Sequence, residues 1–454
     1  MGAARCARRR LGAGAAAMKR LGSWGRVGDL PATLHLRVQR RDAELPPVST
    51  LPVPLLPYGR GRSYGDVCQV ERGTLLHTAE LDRFVDFDPQ RGVLQCESGL
   101  SLGEILRQSI PRGWTLPVLP GTGEVTVGGA IANDVHGRNH PGAGSFGHHV
   151  EALELLRSDG TRLLCSAGSN PDWFAATIGG LGLTGLITWA SLRLRPVANA
   201  FVHTRCARFR SLDEFWELSA AAQSDWPYAR AWIDGLARGR ALGRGVLVGA
   251  RDAPALAELP APPRRRAWVP PLPWSLLGAA SVRMGNAAYW SAAGARQRAG
   301  VRLTHYERYF FAADRVAGWN RLYGPAGFHQ YQCALPERSM REATQALLGR
   351  VARSGQRAVF GTLQRLGDHP APGMLSFARA GATLALDFAH RGEATLRLFT
   401  ELDAVVRAAG GALYPAKDSR MPPAMFRAGF PRWEAFGPFV DPAFGSAFWR
   451  RVSP

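Results

Sequence analysis

Lysine is almost absent from this 454-residue chain, although the chain is strongly basic. Lysine and arginine together number 56, yet only Lys19 and Lys417 are lysines. Arginine therefore fills nearly every position at which a positive charge is sufficient. Unlike a guanidinium, an ammonium can lose its proton when burial lowers its pKa. The lysine in "LYPAKDSR" is consequently a candidate for proton transfer or close cofactor contact, with chance as the alternative.

Cysteine pairs and long apolar runs are also missing. The six cysteines lie far apart without a CxxC pair, which argues against a zinc knuckle and a disulfide-rich scaffold and favours buried free thiols. No run of about 18 apolar residues occurs, so no transmembrane helix is predicted. The basic N-terminus lacks the apolar stretch of a signal peptide. We expect residues 1–17 to be disordered or to precede the true start at Met18, and the protein to be cytoplasmic, at most peripheral to the inner face of the membrane.

The net charge of +20 restricts the classes of partner. Clustered arginines bind nucleic-acid phosphates, but here the arginines are scattered and no nucleic-acid fold signature occurs, so no nucleic-acid partner is predicted. An anionic membrane surface or a phosphorylated substrate would use the same positive field. A chain of this length is expected to form two domains.

The first half of the chain is predicted to be α+β. Short β-type runs such as "GVLQCESG" and "GLITWASLRLRP", broken by Gly, Asp or Pro, fill residues 52–196. "SLGEILRQSI" is predicted to be a helix with a capping box formed by Ser101 and Glu104. "IGGLGLTG" contains a formal GxGxxG match, but a strand-like run follows it instead of a helix. A Rossmann site is therefore not predicted.

The second half has the β-α-β-β-α-β order typical of a ferredoxin-like unit. Strands are predicted at "FHQYQCALP", "AVFGTLQRLG", "ATLALDFAH" and "ALYPA", and helices at "MREATQALLGRVARSG" and "ATLRLFTELDAVVRAAGG". Residues 198–411 are thus predicted to form a second domain. Within it, residues 259–290 combine Pro, Arg and Trp with little periodicity, which indicates a surface loop and a candidate lid.

Two glycine-rich segments are candidates for ligand binding. "PYGRGRSYGD", residues 57–66, places three glycines around two arginines and a serine, so its backbone amides can wrap an anion, although a plain turn is the alternative. Residues 119–150 carry eight glycines, which disfavour a regular helix and favour close packing against an extended ligand. His136 and His140 would share a metal only on a helix, so no metal site is predicted.

Taken together, these motifs resemble those of one flavoprotein family. "GRGRSYGD", "PVLPGTGEVTVGGAIANDVHGRNHPGAGSFG", "GGLGLTG", "WNRLYGPAGFHQYQ" and "YPAKDSR" occur in the order seen in decaprenylphosphoryl-β-D-ribose 2′-oxidase-like flavoproteins, within the vanillyl-alcohol-oxidase-type FAD-binding superfamily. The resemblance extends from about Met18 to the C-terminus. It implies a two-part FAD-binding domain, residues 18–197 and 412–454, with residues 198–411 inserted as the substrate domain.

The resemblance also implies the cofactor site. Related alditol and aldonolactone oxidases attach FAD to a histidine immediately before the loop serine, whereas this chain has Arg62 before Ser63. Non-covalent FAD is therefore expected. The matching cofactor positions are Pro57, Gly59, Arg60, Gly61, Arg62, Ser63, Tyr64, Gly65, Gly121, Thr126, Val127, Gly128, Gly129, Asn133, His136, Ile187 and Tyr414.

Lys417 matches the active-site lysine of the family. Oxidation of an alcohol by flavin needs a base for the hydroxyl proton, which a desolvated lysine can supply. A lysine that stays charged can instead stabilise reduced flavin. His136 and Tyr64 likewise match pocket residues that take part in catalysis, and the alternatives are a hydrogen-bonded core histidine and a packing tyrosine.

Four positions match the family's substrate pocket. Gln330 and Gln332 alternate along one strand, so they share a face on which they would bind sugar hydroxyls or meet solvent. Ala385 and Gln364 depart from the family pattern, replacing a pocket cysteine and a pocket lysine. The first change removes a thiol that the redox chemistry does not need, and the second removes a candidate phosphate contact.

The resemblance implies oxidation of the 2′-hydroxyl of a polyprenylphosphoryl ribose to a keto sugar, the first half of an epimerisation that leads to an arabinan precursor. A separate NADH-dependent short-chain reductase would complete the epimerisation. The alternative is an oxidase or dehydrogenase of a free sugar, alditol or lactone. A basic nucleic-acid-binding or membrane-binding module without catalysis is the third reading.

Overall fold

The structure is a computed structural model that describes residues 22–28, 30–255 and 267–453. The predicted disorder or false start at residues 1–17 lies outside the described residues. The same holds for residues 256–266 of the predicted loop.

The first unit places two sheets around the glycine-rich segments. Its strands are β1 (Leu34–Arg37), β2 (Leu55–Tyr58), β3 (Thr74–His77), β4 (Phe84–Asp88), β5 (Val93–Glu97), β6 (Trp114–Thr115), β7 (Val150–Leu156), β8 (Arg162–Ser166), β9 (Leu186–Arg193) and β10 (Arg195–Pro196). Its helices are α1 (Leu102–Ser109), α2 (Val127–Ala132), α3 (His140–Ala143) and α4 (Pro171–Thr177). A parallel sheet has the order β1-β3-β2, an antiparallel sheet has the order β4-β5-β9-β7-β8, and β6 pairs with β10.

An eight-stranded antiparallel sheet forms the second unit. Its strand order is β15-β11-β13-β12-β18-β19-β17-β20, and β14 pairs with β16 beside it. The strands are β11 (Phe201–Phe209), β12 (Tyr228–Ile233), β13 (Gly245–Asp252), β14 (Ala267–Trp268), β15 (Arg302–His305), β16 (Val316–Ala317), β17 (Phe328–Pro336), β18 (Ala358–Leu366), β19 (Gly381–Ala389) and β20 (Ala412–Leu413). The helices are α5 (Leu212–Ala221), α6 (Ala279–Arg298), α7 (Tyr306–Phe310), α8 (Met340–Arg353) and α9 (Glu393–Ala408).

Local sequence signals account for several boundaries. The Ser101 hydroxyl accepts from the Glu104 amide at 3.2 Å, and the Glu104 carboxylate accepts from the Ser101 amide at 2.9 Å, so α1 begins with the predicted capping box. A strand, β9, follows "IGGLGLTG" as expected, which is inconsistent with a dinucleotide-binding turn. No helix among the described residues is long and apolar enough to cross a bilayer.

Three expectations about local structure were wrong. The predicted loop over residues 259–290 ends at α6, whose buried Val282 and Asn286 face the sheet without a regular apolar period. Residues 119–150 contain the short helices α2 and α3 despite their glycines, because the Thr126 hydroxyl caps α2 by accepting from the Gly129 amide at 3.2 Å. The strand predicted at "ALYPA" is only β20, since Pro415 begins a 3-10 turn.

The C-terminal segment returns from the second unit to the first. It carries α10 (Pro423–Gly429), α11 (Trp433–Phe436) and α12 (Ala447–Val452), and Phe444 forms a bridge with Leu55 of β2. The buried Asp441 carboxylate accepts from the Ser158 amide at 2.9 Å and from the Ser158 hydroxyl at 2.6 Å. It also pairs with Arg157 at 3.3 Å. This carboxylate therefore ties the end of the chain to the turn after β7.

We expect Asp441→Ala to lower the free energy of unfolding by about 3 kcal/mol or more, because it leaves the Arg157 guanidinium without its buried partner. Guanidinium titration followed by tryptophan fluorescence would measure the change. The control is Glu401→Ala, which removes a half-exposed ion pair with Arg350 and should cost under about 0.5 kcal/mol. Equal effects of the two substitutions would contradict this account of the C-terminal attachment.

Candidate active site

A deep cleft runs between the two units, and its empty space, part of which is open to solvent, is about 2680 Å³. Its walls come from residues 57–64, residues 119–138, the face of the eight-stranded sheet and the turn at residues 414–417. Every residue predicted for the site lines this cleft except Gly65 and Val127. The motifs that are far apart in sequence thus meet in one place.

Gly65 and Val127 have packing roles instead of lining the cleft. Gly65 lies against the backbone of Asp418, where a Cβ atom would overlap the carbonyl oxygen. Val127 is fully buried, and its amide donates to the Leu100 carbonyl at 2.9 Å. Both residues therefore shape the segments that carry the cleft residues.

The loop at residues 57–64 is held by charge pairs and close backbone packing. The Arg60 guanidinium contacts Glu104 at 2.9 Å and Glu124 at 3.3 Å. Arg62 contacts Glu124 at 3.4 Å and lies 4.4 Å from the centroid of the Trp24 ring. Gly61 has a φ of +60°, a conformation that side chains disfavour. These contacts fix the loop against α1 and the second glycine-rich segment.

Several buried polar atoms along the cleft have no hydrogen-bond partner among the residues that the structure describes. They are Arg62 Nε, Ser98 Oγ, Asn133 Oδ1 and His136 Nδ1. Leaving such a group unpaired costs about 1–3 kcal/mol. A long ligand with donors and acceptors along its length would satisfy them, so the cleft fits a ligand of that kind.

Lys417 projects into the cleft from the turn Pro415–Lys417. Its Nζ lies 3.6 Å from the centroid of the Tyr64 ring, and the Tyr64 amide donates to the Ala416 carbonyl at 2.8 Å. Burial lowers the pKa of Lys417 to about 7, against the opposing effect of the Asp387 carboxylate. Near neutral pH this side chain can therefore both give and take a proton.

Asp387 on β19 is a buried carboxylate whose negative charge acts to raise the pKa of Lys417. Its carboxylate accepts from Gln330 Nε2 at 2.6 Å and from the Tyr323 hydroxyl at 3.4 Å. Burial raises the pKa of Asp387 to about 6. Sequence reasoning missed Asp387, although a single carboxylate within the apolar strand "ATLALDFAH" was a usable signal.

His136 is neutral in this site, because burial lowers its pKa to about 3. The Gln332 side-chain amide donates to His136 Nε2 over 3.2 Å, which places the ring proton on Nδ1. The ring packs against the stacked pair of Phe377 and Tyr414, with centroid distances of 5.7 and 5.6 Å. His136 therefore presents a fixed hydrogen-bond donor without charge.

The remaining predicted residues occupy the rest of the wall. The Tyr414 hydroxyl donates to the Asn133 carbonyl at 3.0 Å, and the Gln364 amide donates to the Gly137 carbonyl. Ile187 and Ala385 contribute apolar surface. Within the described residues, no group of three or more His, Cys, Asp or Glu side chains is arranged to hold a metal ion.

Further residues line the cleft without having been predicted. Gly182 and Gly185, set aside with the formal GxGxxG match, form part of its wall. Arg230 and Asp314 are charged residues that also line it. A lone arginine in the strand "YARAWI" was a signal for Arg230, whereas Asp314 lies in an irregular stretch with no pattern to indicate it.

Comparisons with known proteins agree with this geometry. The family described as FAD binding domain matches residues 48–166. The chain is 34% identical to decaprenylphosphoryl-β-D-ribose oxidase of Mycolicibacterium smegmatis over 421 residues, which is 87% of this chain and 88% of that protein. It is 33% identical to mouse L-gulonolactone oxidase over 140 residues, 30% of this chain and 31% of that one. It is 31% identical to rat Delta(24)-sterol reductase over 134 residues, 29% and 26% of the two chains.

The cleft and the comparisons point to the same cofactor. An elongated dinucleotide suits the extended cleft and its unpaired polar atoms. The chain is an FAD-dependent oxidoreductase with an α+β FAD-binding fold, and it belongs to the decaprenylphosphoryl-β-D-ribose oxidase family.

Proposed function

We propose that the protein oxidises the 2′-hydroxyl of a polyprenylphosphoryl ribose to a keto sugar, the first half of an epimerisation. The observation that carries this proposal is the position of Lys417, in contact with Tyr64 and beside Asp387 in the cleft that suits FAD. The relative from M. smegmatis, named for a polyprenylphosphoryl ribose, supports the substrate class. A separate NADH-dependent short-chain reductase would complete the epimerisation.

In this proposal Lys417 removes the hydroxyl proton of the sugar. A base acts best when its pKa lies near the working pH, and the pKa of Lys417 is about 7. The negative charge of Asp387 keeps that pKa from falling further. His136 Nδ1 and the Gln330 and Gln332 side chains would orient the sugar by hydrogen bonds from one face.

FAD, when bound, supplies the hydride acceptor. The residues that would hold it are the loop at residues 57–64, the segment at residues 121–136, Ile187 and Tyr414. In related alditol and aldonolactone oxidases, a histidine at this position carries the covalent flavin link. Here the position is Arg62, which pairs with Glu124. We therefore expect the cofactor to be non-covalent and released when the protein unfolds.

We also propose a division of labour between the units. Residues 18–197 together with residues 412–454 would bind FAD, and residues 198–411 would bind the substrate. In the second unit, β17 to β20 and the two helices between them have the order and pairing of a ferredoxin-like core, β18-β19-β17-β20, which four more strands extend. β20 (Ala412–Leu413) lies just past the boundary expected at residue 411, so in this proposal the chain returns to the FAD-binding part after residue 413.

A peripheral contact with a membrane would suit the lipid substrate. Trp268, Trp274, Leu276 and Met284 are exposed by 64, 66, 47 and 67%, respectively, and all lie within residues 267–284. Exposed tryptophans in a basic protein favour the interface of an anionic bilayer. We include this contact in the proposal as the route by which the lipid reaches the cleft.

The ionisation of Lys417 can be followed directly, because the chain contains only one other lysine. In protein labelled with [ε-13C]lysine, we expect one NMR signal to titrate near pH 7 and to vanish in Lys417→Ala. The rate of anaerobic flavin reduction should rise over the same pH range, since the neutral amine is the base. A rate that falls across that range would instead assign Lys417 the role of a charged stabiliser.

Replacing Lys417 should separate cofactor binding from turnover. We expect Lys417→Ala to retain FAD and to lose about 100-fold or more in turnover, because the base is gone. Lys417→Arg keeps a positive charge that cannot be lost near neutral pH, so it should be as slow as Lys417→Ala. Normal turnover in Lys417→Ala would refute the role of this residue, and recovery in Lys417→Arg would refute the base.

Asp387→Asn should move the pKa of Lys417 below about 7, because it removes the negative charge that opposes the effect of burial. The labelled lysine signal measures the shift. Glu337→Gln is the control, since that carboxylate lies on the surface beside Arg365 and should leave the Lys417 titration unchanged. An unchanged titration in Asp387→Asn would mean that Asp387 has no electrostatic effect on the lysine.

The substrate class can be tested by mixing the oxidised enzyme with candidate alcohols without oxygen. We expect polyprenylphosphoryl ribose to bleach the visible absorbance of the flavin. The partial similarity to L-gulonolactone oxidase makes a free sugar, alditol or lactone the second candidate. Bleaching by such a compound, but not by the lipid-linked ribose, would contradict the proposed substrate.

A further inference from the structure

A second cavity lies next to the cleft, behind the glycine-rich segment at residues 119–150. Its empty space, part of which is open to solvent, is about 620 Å³, and Arg138, Arg230 and Gln364 line both cavities. These three side chains form the junction between the two spaces. Arg230 also lies close to Gly121, because a Cβ atom added to Gly121 would be 3.8 Å from Nη1 of Arg230.

Among the described residues, the two arginines at this junction, Arg138 buried and Arg230 half-buried, have no carboxylate partner of the kind that enclosed cations usually have. Arg138 is only 9% exposed, and its hydrogen bond to the Phe310 carbonyl is long, at 3.5 Å. Its guanidinium otherwise stacks 4.4 Å from the centroid of the Tyr309 ring. In the part of the chain that the structure describes, neither Arg138 nor Arg230 forms an ion pair with a carboxylate.

The second cavity is lined by positively charged and apolar side chains. It includes a third arginine, Arg365, and no Asp or Glu among the described residues that line it. The Gln364 amide is engaged with the Gly137 carbonyl and carries no charge. Phe215, Trp226, Leu247 and Leu363 provide apolar wall. The cavity thus offers positive charge at its junction with the cleft and apolar surface beyond.

We propose that Arg138 and Arg230 bind the phosphate of a lipid-linked sugar, with the sugar in the cleft beside Lys417 and the first isoprenoid units in the second cavity. A phosphate that contacts both guanidiniums would offset their mutual repulsion through charge-assisted hydrogen bonds. This assignment rests on the proposed function and specifies how the substrate is divided between the two cavities.

The binding test uses the FAD-loaded enzyme and probes that need no turnover. Calorimetry would measure the binding of farnesyl phosphate, farnesol and inorganic phosphate to the wild type, Arg138→Gln and Arg230→Gln. We expect each substitution to weaken the binding of farnesyl phosphate by about tenfold or more, because a charged hydrogen bond to the phosphate is lost. Farnesol should bind less tightly and show no dependence on the arginines. Arg350→Gln, which removes a half-exposed guanidinium of α8 that pairs with Glu401 and lines neither cavity, is the control.

The possible outcomes separate this assignment from the proposed reaction. Arginine-dependent binding of farnesyl phosphate supports the site even if no ribose derivative reduces the flavin, which would refute only the reaction. Unchanged binding in both variants overturns the site, even if the lipid-linked ribose is oxidised. If the variants lose FAD, the arginines bind the cofactor instead of the substrate phosphate. If inorganic phosphate binds as tightly as farnesyl phosphate, the isoprenoid chain does not bind in the second cavity.

Discussion

The contact between the Lys417 ammonium and the Tyr64 ring is the constraint on which the site depends. A cation over an aromatic face gains electrostatic attraction without the full hydration that water would give it. Burial lowers the pKa of the lysine and favours its neutral form, whereas the buried Asp387 carboxylate raises that pKa and favours the charged form. The balance leaves an amine that changes its protonation state near neutral pH.

The fold achieves this balance by joining segments from both ends of the chain. Tyr64 lies in the first glycine-rich loop, and Lys417 follows the last strand of the large sheet. One backbone hydrogen bond, from the Tyr64 amide to the Ala416 carbonyl, sets their separation. The close approach of Gly65 to the Asp418 backbone explains why the loop needs a glycine there. The site is therefore built at the seam between the two units.

Sequence reasoning predicted many of the residues that line this cleft, because their residue types and spacing are recognisable locally. A rare lysine, dense glycines and alternating glutamines can be recognised in the sequence itself. The family resemblance then predicted that they belong to one site. Asp387 and Arg230 were missed because a charged residue in a strand is informative only when the fold shows that both sides of it are buried. α6 was missed because its apolar residues are spread around the helix and give no helical period. Four additional strands of the large sheet depend on pairings between distant segments, which local patterns do not encode.

Lys417 and Asp441 lie on the same C-terminal segment, so the lysine of the cleft and the carboxylate that ties this segment to the turn after β7 belong to one stretch of chain. During synthesis, the N-terminal unit has left the ribosome long before either residue emerges. The glycine-rich walls of the cleft are therefore made before the lysine that faces them. A chain without this stretch would lose the lysine and its attachment together.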